Sequence, residues 1–195
     1  MYVVSATESG DLSTLLDSLV QHLRSHAVRT DGPFTLRSGQ VSSWYLDARQ
    51  TTFDGAGARL VGAAMLERLE REVTAVGGMT MGADPISVAT SVVATEQGRL
   101  LRAFSVRKES KDHGLSGRLV GPLADGDVVA ALDDTVTTGG ALVESIDVML
   151  ERGLRVAQAI CLVDRSGGEA ERRCLDRGVP FSALVLPADL GVEDR

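Results

Sequence analysis

Leu12, Leu15, Leu16, Leu19, Val20 and Leu23 recur at helical spacing, which predicts an amphipathic first helix carrying His22 and His26 on its surface or at its end. Two short extended runs follow, Phe34 to Ser38 and Trp44 to Arg49, and their arrangement around Gly39-Gln40 reads as a hairpin. A helix over about 56–69 precedes a strand from Val73 to Val76 and a Gly- and Met-rich loop from Gly77 to Asp84. Asp84 before Pro85 reads as an N-cap and a first-turn proline, so another helix starts there. Leu101 to Val106 reads as a strand. The unbroken apolar run Val128-Val129-Ala130-Ala131-Leu132 reads as a strand covered on both faces, Ala141 to Glu151 as a helix, and Val156 to Val163, apolar apart from Gln158, as a further strand. Gly153 and Gly178 stand where helices should end. Strands alternating with helices predict an α/β fold, a parallel sheet flanked by helices with right-handed crossovers. No repeat, low-complexity linker or composition break divides the chain. It reads as a single domain over 1–195, with a small N-terminal hood over about 1–55 and a core over about 56–187.

Composition narrows the class. With 44% hydrophobic and 24% charged residues the chain suits a globular protein that buries its own core. A formal charge of −7 argues against a general nucleic-acid binder or a membrane-surface protein, and means that any bound anion must be held by a local cluster of cations. Cys161 lies in an apolar run and Cys174 in a charged helical stretch, without CxxC spacing, so both read as reduced thiols. There is no signal-like N-terminus and no apolar run near the roughly 20 residues that span a bilayer. The expectation is a soluble cytoplasmic protein.

Candidate chemistry starts where the Val128 strand runs into Asp133-Asp134-Thr135-Val136-Thr137-Thr138-Gly139-Gly140. A small, hydroxyl-rich, Gly-ended loop between a strand's carboxyl end and a helix N-terminus suits an anionic phosphate, because free N–H groups and the helix dipole point at it. Thr137 and Thr138 add hydroxyl donors, and Gly139 and Gly140 let the backbone approach closely. Asp133 and Asp134 would repel a phosphate unless they face neutral hydroxyls or a bound cation, as a ribose carrying Mg²⁺ on its pyrophosphate would supply. The bland alternative is a βα loop whose Asp and Thr only cap a helix.

A second segment, Arg107-Lys108-Glu109-Ser110-Lys111-Asp112-His113-Gly114-Leu115-Ser116-Gly117-Arg118, is polar, Gly-punctuated and long for a connection. Arg107, Lys108, Lys111 and His113 concentrate cationic groups in an otherwise acidic chain. By itself this is a solvated charged loop. Beside a phosphate cradle it is a cationic flap that would close over a pyrophosphate, exclude water and neutralise charge on the leaving group.

The Val128–Gly140 string resembles the phosphoribosyl-pyrophosphate motif of the type I phosphoribosyltransferases, and the Arg107–His113 pattern resembles the flap of the orotate phosphoribosyltransferases among them. Phe34-Thr35-Leu36-Arg37-Ser38-Gly39, Tyr45-Leu46-Asp47-Ala48-Arg49 and Asp164-Arg165 agree with that family. The matches run in order from about residue 34 to 165. The resemblance implies a type I phosphoribosyltransferase-like fold and the conversion of orotate and phosphoribosyl pyrophosphate (PRPP) to orotidine 5′-monophosphate and pyrophosphate, in pyrimidine synthesis. It implies Mg²⁺ as cofactor and a homodimer in which the flap, 107–118, reaches the partner's site.

Residue by residue, the resemblance implies that Asp133, Asp134, Thr135, Val136, Thr137, Thr138, Gly139, Gly140 and Ala141 hold the ribose hydroxyls and the 5′-phosphate. Arg107, Lys108, Lys111 and His113 would hold the pyrophosphate. Arg37, Thr137 and Arg165 would contact orotate, whose carboxylate suits a guanidinium. The catalytic set is Lys108, Lys111, His113 and Asp134, with either His113 or a loop lysine donating a proton to the leaving group. No side chain is expected to ligate the metal directly; PRPP would carry Mg²⁺, with Asp133 and Asp134 reaching it through water.

The sequence departs from the family at Arg37, where many members carry Lys. At Met81-Gly82, ahead of Ala83-Asp84-Pro85, a Tyr-Lys pair of one branch is missing, though Gly77 to Gly82 still suits backbone contact with a phosphate. Asp47 and Arg49 read either as site-lining groups or as an ion pair holding the hood, and Asp164 as the residue orienting Arg165. Two rival functions remain: transfer to another six-membered nitrogen base, and a PRPP-sensing regulator without turnover. The complete flap and the acidic charge disfavour the regulator.

Overall fold

A computed structural model describes residues 12–35, 41–109 and 115–192. In chain order the elements are α1 (Leu12–His26), β1 (Val28–Arg29), β2 (Phe34–Thr35), β3 (Val41–Ser42), β4 (Tyr45–Leu46), α2 (Arg49–Thr52), α3 (Gly55–Arg68), β5 (Ala75–Met79), α4 (Ala83–Glu96) and β6 (Arg102–Val106). A single 3₁₀ turn, Leu115–Arg118, then leads to β7 (Leu119–Val120), β8 (Val128–Val136), α5 (Gly140–Glu151), β9 (Arg155–Asp164), α6 (Glu169–Leu175) and β10 (Phe181–Val185).

Six strands form the main sheet in the order β10-β9-β8-β5-β6-β7. All neighbours are parallel except β7, which runs antiparallel to β6, so the sheet is mixed at one edge. The expected parallel sheet is thus present, and its one antiparallel edge strand pairs with the strand just before it in the chain, a return that needs no crossover helix. Side chains alternate across the pleat of β8. Ala130 and Leu132 join a core with Leu19, Leu23, Val61, Met65 and Ile86 on one face, while Val129 and Ala131 join Leu142, Ile146 and Met149 on the other. This two-sided burial is what the unbroken apolar run demands. Gln158, the polar break in β9, is buried but satisfied: it accepts from the Glu70 N–H at 2.7 Å and donates to the Arg68 carbonyl at 3.0 Å, closing the end of α3.

Several boundaries differ from the sequence expectation. Phe34–Thr35 pairs with Val41–Ser42, whereas Tyr45–Leu46 pairs with Val28–Arg29, so the two extended runs are not partners in one hairpin. The segment that follows Leu46 bends into α2, a single helical turn that starts at Arg49. β5 lies later than expected and takes in Gly77 and Gly78. Neither glycine lies in a phosphate loop. A Cβ on Gly78 would stand 1.9 Å from the Leu132 carbonyl oxygen, and one on Gly77 would stand 2.4 Å from that of Phe104, so both are small because adjacent strands occupy the space. Gly78→Ala is expected to cost about 3 kcal/mol or more, read as a lower urea midpoint. An unchanged midpoint would show that the sheet yields there.

Asp84 is not the cap of α4. Gly82 holds that position, and the Asp84 carboxylate instead accepts from Thr80 Oγ1 at 2.5 Å and Ser105 Oγ at 2.6 Å, bracing the ends of β5 and β6. His22 is not a surface residue either. Its ring nitrogens meet Thr51 Oγ1 at 3.2 Å and Asp54 Oδ2 at 3.1 Å, fastening α1 to α2 and to the start of α3. Gly153 (φ +81°) and Gly178 (φ +70°) end α5 and α6 as expected. Both thiols are free and buried; burial raises the pKa of each, that of Cys174 to about 11, so neither is poised as a nucleophile. No helix among the described residues is long and apolar enough to cross a membrane.

Candidate active site

The chain adds β6 on one side of β5 and then returns to place β8 on the other, making a switch point between β5 and β8. Ligands of open α/β sheets bind outside the carboxyl ends of strands at such a point. The loops after β5, β6, β8 and β9 leave this same edge, because those strands are parallel. Thr80 N–H donates to the Val106 carbonyl at 2.8 Å and Arg165 N–H to that of Val136 at 2.7 Å, which fixes where two of the loops depart.

β8 runs further than the apolar run suggested. Asp133 and Asp134 are strand residues, with Asp133 opposite Cys161 and Val136 opposite Asp164. The loop proper is only Thr137–Gly139. Asp133 is 6% exposed, and burial, with the neighbouring Asp134 charge adding to it, pushes its pKa up to about 7. Asp134 is also raised by burial, while bonding from the Thr135 N–H at 2.7 Å and the Arg49 charge pull it back down. Gly82 leaves room for this acid: a Cβ there would stand 2.6 Å from Asp134 Oδ1. The crevice thus holds two adjacent acids whose charged forms burial makes uncomfortable.

That discomfort has a pH signature. An unfolded Asp titrates near 3.9, so between about pH 4 and pH 7 the folded chain keeps an Asp133 proton that the unfolded chain has released. This contribution is fully present below about pH 4 and is lost as pH rises towards 7, by at most about 4 kcal/mol. Asp133→Asn should therefore gain stability relative to the parent progressively across that window in urea titrations. A difference independent of pH would contradict the assignment.

The turn after β8 is shaped for close approach. Gly139 takes φ +76°, and a Cβ there would meet Ala170 at 3.2 Å, so α6 backs the turn directly. Arg173 Nη1 donates to the Thr138 carbonyl at 2.7 Å. No side chain caps the start of α5, leaving that helix end to the crevice. Thr137, Thr138, Gly140 and Ala141 are exposed, whereas the Val136 side chain packs in the core, so Val136 can offer only backbone.

Arg118 clamps the stem of the flap. Arg107 N–H donates to the Arg118 carbonyl at 2.8 Å, Arg118 Nε returns a bond to the Arg107 carbonyl at 2.7 Å, and Arg118 Nη2 meets Glu144 on α5 at 2.5 Å. The Arg107 backbone is therefore anchored at the site's edge, with Lys108 next to it in the chain. On the other side, Arg49 pairs with Asp47 at 2.7 Å. The pair is a structural link at the start of α2, as one of its two readings held, yet both charges also act on Asp134. Arg165 lies over the Trp44 ring, its Cζ 3.9 Å from the ring centroid. Asp164 Oδ1 accepts from the Ser166 N–H at 2.8 Å and shapes the turn that carries Arg165.

No model of a known protein family matches the chain. Individual proteins do. Orotate phosphoribosyltransferase of Streptomyces avermitilis is 39% identical over 177 residues, spanning 90% of this chain and 97% of that protein. Its counterpart in Thermosynechococcus vestitus is 40% identical over 180 residues, 92% of this chain and 94% of that one. The chain belongs to the orotate phosphoribosyltransferase family. The crystal structure of the Mycobacterium tuberculosis orotate phosphoribosyltransferase, in complex with Fe(III) dicitrate, superposes with a TM-score of 0.81 at 30% identity, covering 91% of this chain and 99% of that one. The expected type I phosphoribosyltransferase fold is thus present.

Within this orotate phosphoribosyltransferase fold, the structure gathers Asp133, Asp134, Thr135, Thr137, Thr138, Gly139, Gly140, Ala141, Arg107, Lys108 and Arg165 around one sheet edge. Arg37, Lys111 and His113 lie outside the described residues. Sequence reasoning missed Trp44, the room that Gly82 leaves for Asp134, the Asp84 brace, the Arg118 clamp and the Arg173 support. Trp44 left a signal as the sole tryptophan of an aromatic-poor chain, next to the short hood strands.

Proposed function

We propose that this chain, as its family membership supports, transfers the phosphoribosyl group of PRPP to orotate, giving orotidine 5′-monophosphate and pyrophosphate in pyrimidine synthesis. The observation that carries the residue assignments is the meeting, at one switch point, of an acid pair, an uncapped helix start, a cationic flap stem and a guanidinium. In the reaction the bond from the anomeric carbon to the pyrophosphate oxygen breaks and a bond to a ring nitrogen of the base forms. Positive charge develops on the ribose and negative charge on pyrophosphate. Asp133 and Asp134 would favour the first from below the sugar, and Arg107, Lys108, Lys111 and His113 the second from the flap. Thr135 to Ala141 would hold the 5′-phosphate and ribose hydroxyls. Thr137, Arg165 and Arg37 would meet orotate, with Arg165 forking onto its carboxylate.

Mg²⁺ fits this donor set. Two adjacent carboxylates, one buried and one half-buried and each raised in pKa, gain from a nearby divalent cation. The cation would therefore be completed by substrate oxygens, with Asp133 and Asp134 reaching it through water, and would supply charge neutralisation on the pyrophosphate. We place the enzyme in the cytoplasm as a homodimer sharing its flaps, with a single catalytic domain beneath the hood. Calorimetry tests the binding half of this reading. PRPP should bind far more tightly with Mg²⁺ than with a chelator, and orotate more tightly than uracil; equal affinity for the two bases would remove Arg165 and Arg37 from base recognition.

A further inference from the structure

Arg172, Arg173 and Arg177 follow one another along and just after α6, and two of them are paired with carboxylates. Arg172 meets Glu169 at 2.8 Å and Asp176 at 3.1 Å, and Arg177 meets Asp147 at 2.5 Å. Arg173 does otherwise. Its Nε stands 4.0 Å from Glu169, whereas its Nη1 donates at 2.7 Å to the backbone carbonyl of Thr138, in the turn that leads into α5. The Thr138–Gly139 peptide is planar and trans, so a carbonyl drawn towards α6 turns the Gly139 N–H the opposite way, away from that helix. A guanidinium behind the peptide also sets a fixed positive charge close to any anion in front of it, at strand ends that carry Asp133, Asp134 and Asp164. The start of α5 has neither a side-chain cap nor an acid in its first turn, so nothing of its own competes for an anion there. Seating α6 does not require the Arg173 bond, because Ala170 and Cys174 already bury that helix in the core with Leu142 and Met149. Holding the turn before a ligand arrives removes an ordering cost from binding.

We propose that Arg173 is a positioning residue for the 5′-phosphate: through the Thr138 carbonyl it aims the Gly139 N–H at that phosphate and backs the turn with positive charge. The proposal rests on the phosphoribosyl-transfer reading above. Arg173→Met keeps the aliphatic stem and removes both donor and charge. It should raise KM for PRPP about tenfold while leaving KM for orotate, at saturating PRPP, within about twofold and kcat within about threefold. Run in reverse, the reaction should show KM for orotidine 5′-monophosphate about tenfold higher and KM for pyrophosphate changed by less than about twofold. The two substrates that carry the 5′-phosphate are thus weakened, and the two that lack it are not. Arg173→Lys, which keeps a donor and the charge, should recover most of the loss. Losses of similar size for substrates with and without the 5′-phosphate, or no loss for any, would overturn the proposal and leave Arg173 a structural tie. Should R173M melt too low to assay, R173Q carries the same comparison with a selective loss of about threefold, and its absence overturns the proposal equally. A parent protein inactive with orotate would remove the functional reading itself; an active parent in which R173M weakens all four substrates alike removes this inference alone.

Discussion

Replacing Asp134 by Asn should lower turnover by about 10²–10³-fold while leaving the protein as stable as the parent or more stable. The two halves have one cause. Asp134 sits in a strand, partly buried beside the almost wholly buried Asp133, and burial holds its pKa above the ordinary carboxylate range. An amide is spared that desolvation and keeps an oxygen for the Thr135 N–H, now bonded at 2.7 Å, so the local geometry survives. What it would lose, in the proposed site, is negative charge beside the ribose, where positive charge would grow in the transition state; one well-aimed group of this kind is worth about 3–4 kcal/mol. Steady-state rates and urea unfolding of the same preparation check both parts. A variant that is inactive because it is unfolded would contradict the account, as would one that keeps full turnover.

Lys111→Ala should reduce turnover comparably, by about 10²-fold or more, with the fold intact. Lys111 lies outside the described residues, so the expectation rests on its place in the flap sequence and on the stem. Arg118 ties both sides of that stem together and to α5, which sets the root of the loop beside the crevice. In the proposed reaction a cation delivered from there would meet the charge released on pyrophosphate. Unchanged turnover would remove Lys111 from the catalytic set. The two variants together also test sharing of the flap. If each flap serves the partner's site, mixing D134N with K111A places both defects in one site of a mixed dimer and leaves the other intact. Random reassortment should then restore about a quarter of parental activity. If flaps serve their own site, mixing restores nothing.

The apolar runs foretold the sheet well, since a strand covered on both faces must be continuously hydrophobic, and Leu101 to Val106, Val128 to Leu132 and Val156 to Val163 all lie largely within strands. The pattern failed where polar residues occupy regular structure. Asp133 and Asp134 ended the apolar run, but their backbone continues the ladder to β9. Local rules fail most often at functional sites, where a group is kept despite its cost. Gly77 and Gly78 misled in the opposite direction, as a glycine needed by a neighbouring strand is indistinguishable in one dimension from one that faces a phosphate. Strand partners in the hood were also hidden, because Val28–Arg29 is too short to announce itself. The motif residues were legible because they are contiguous along the chain. The contact between Trp44 and Arg165 was not, because the two residues are far apart in sequence and joined only by the fold.

The most direct test of the central claim is pyrophosphate release from PRPP and Mg²⁺ with the purified protein, comparing orotate with uracil and the purine bases, and identifying the nucleotide formed. Release with orotate, equal in amount to the orotidine 5′-monophosphate produced and far above that with the other bases, is the predicted result. Release with uracil or a purine and none with orotate would contradict it.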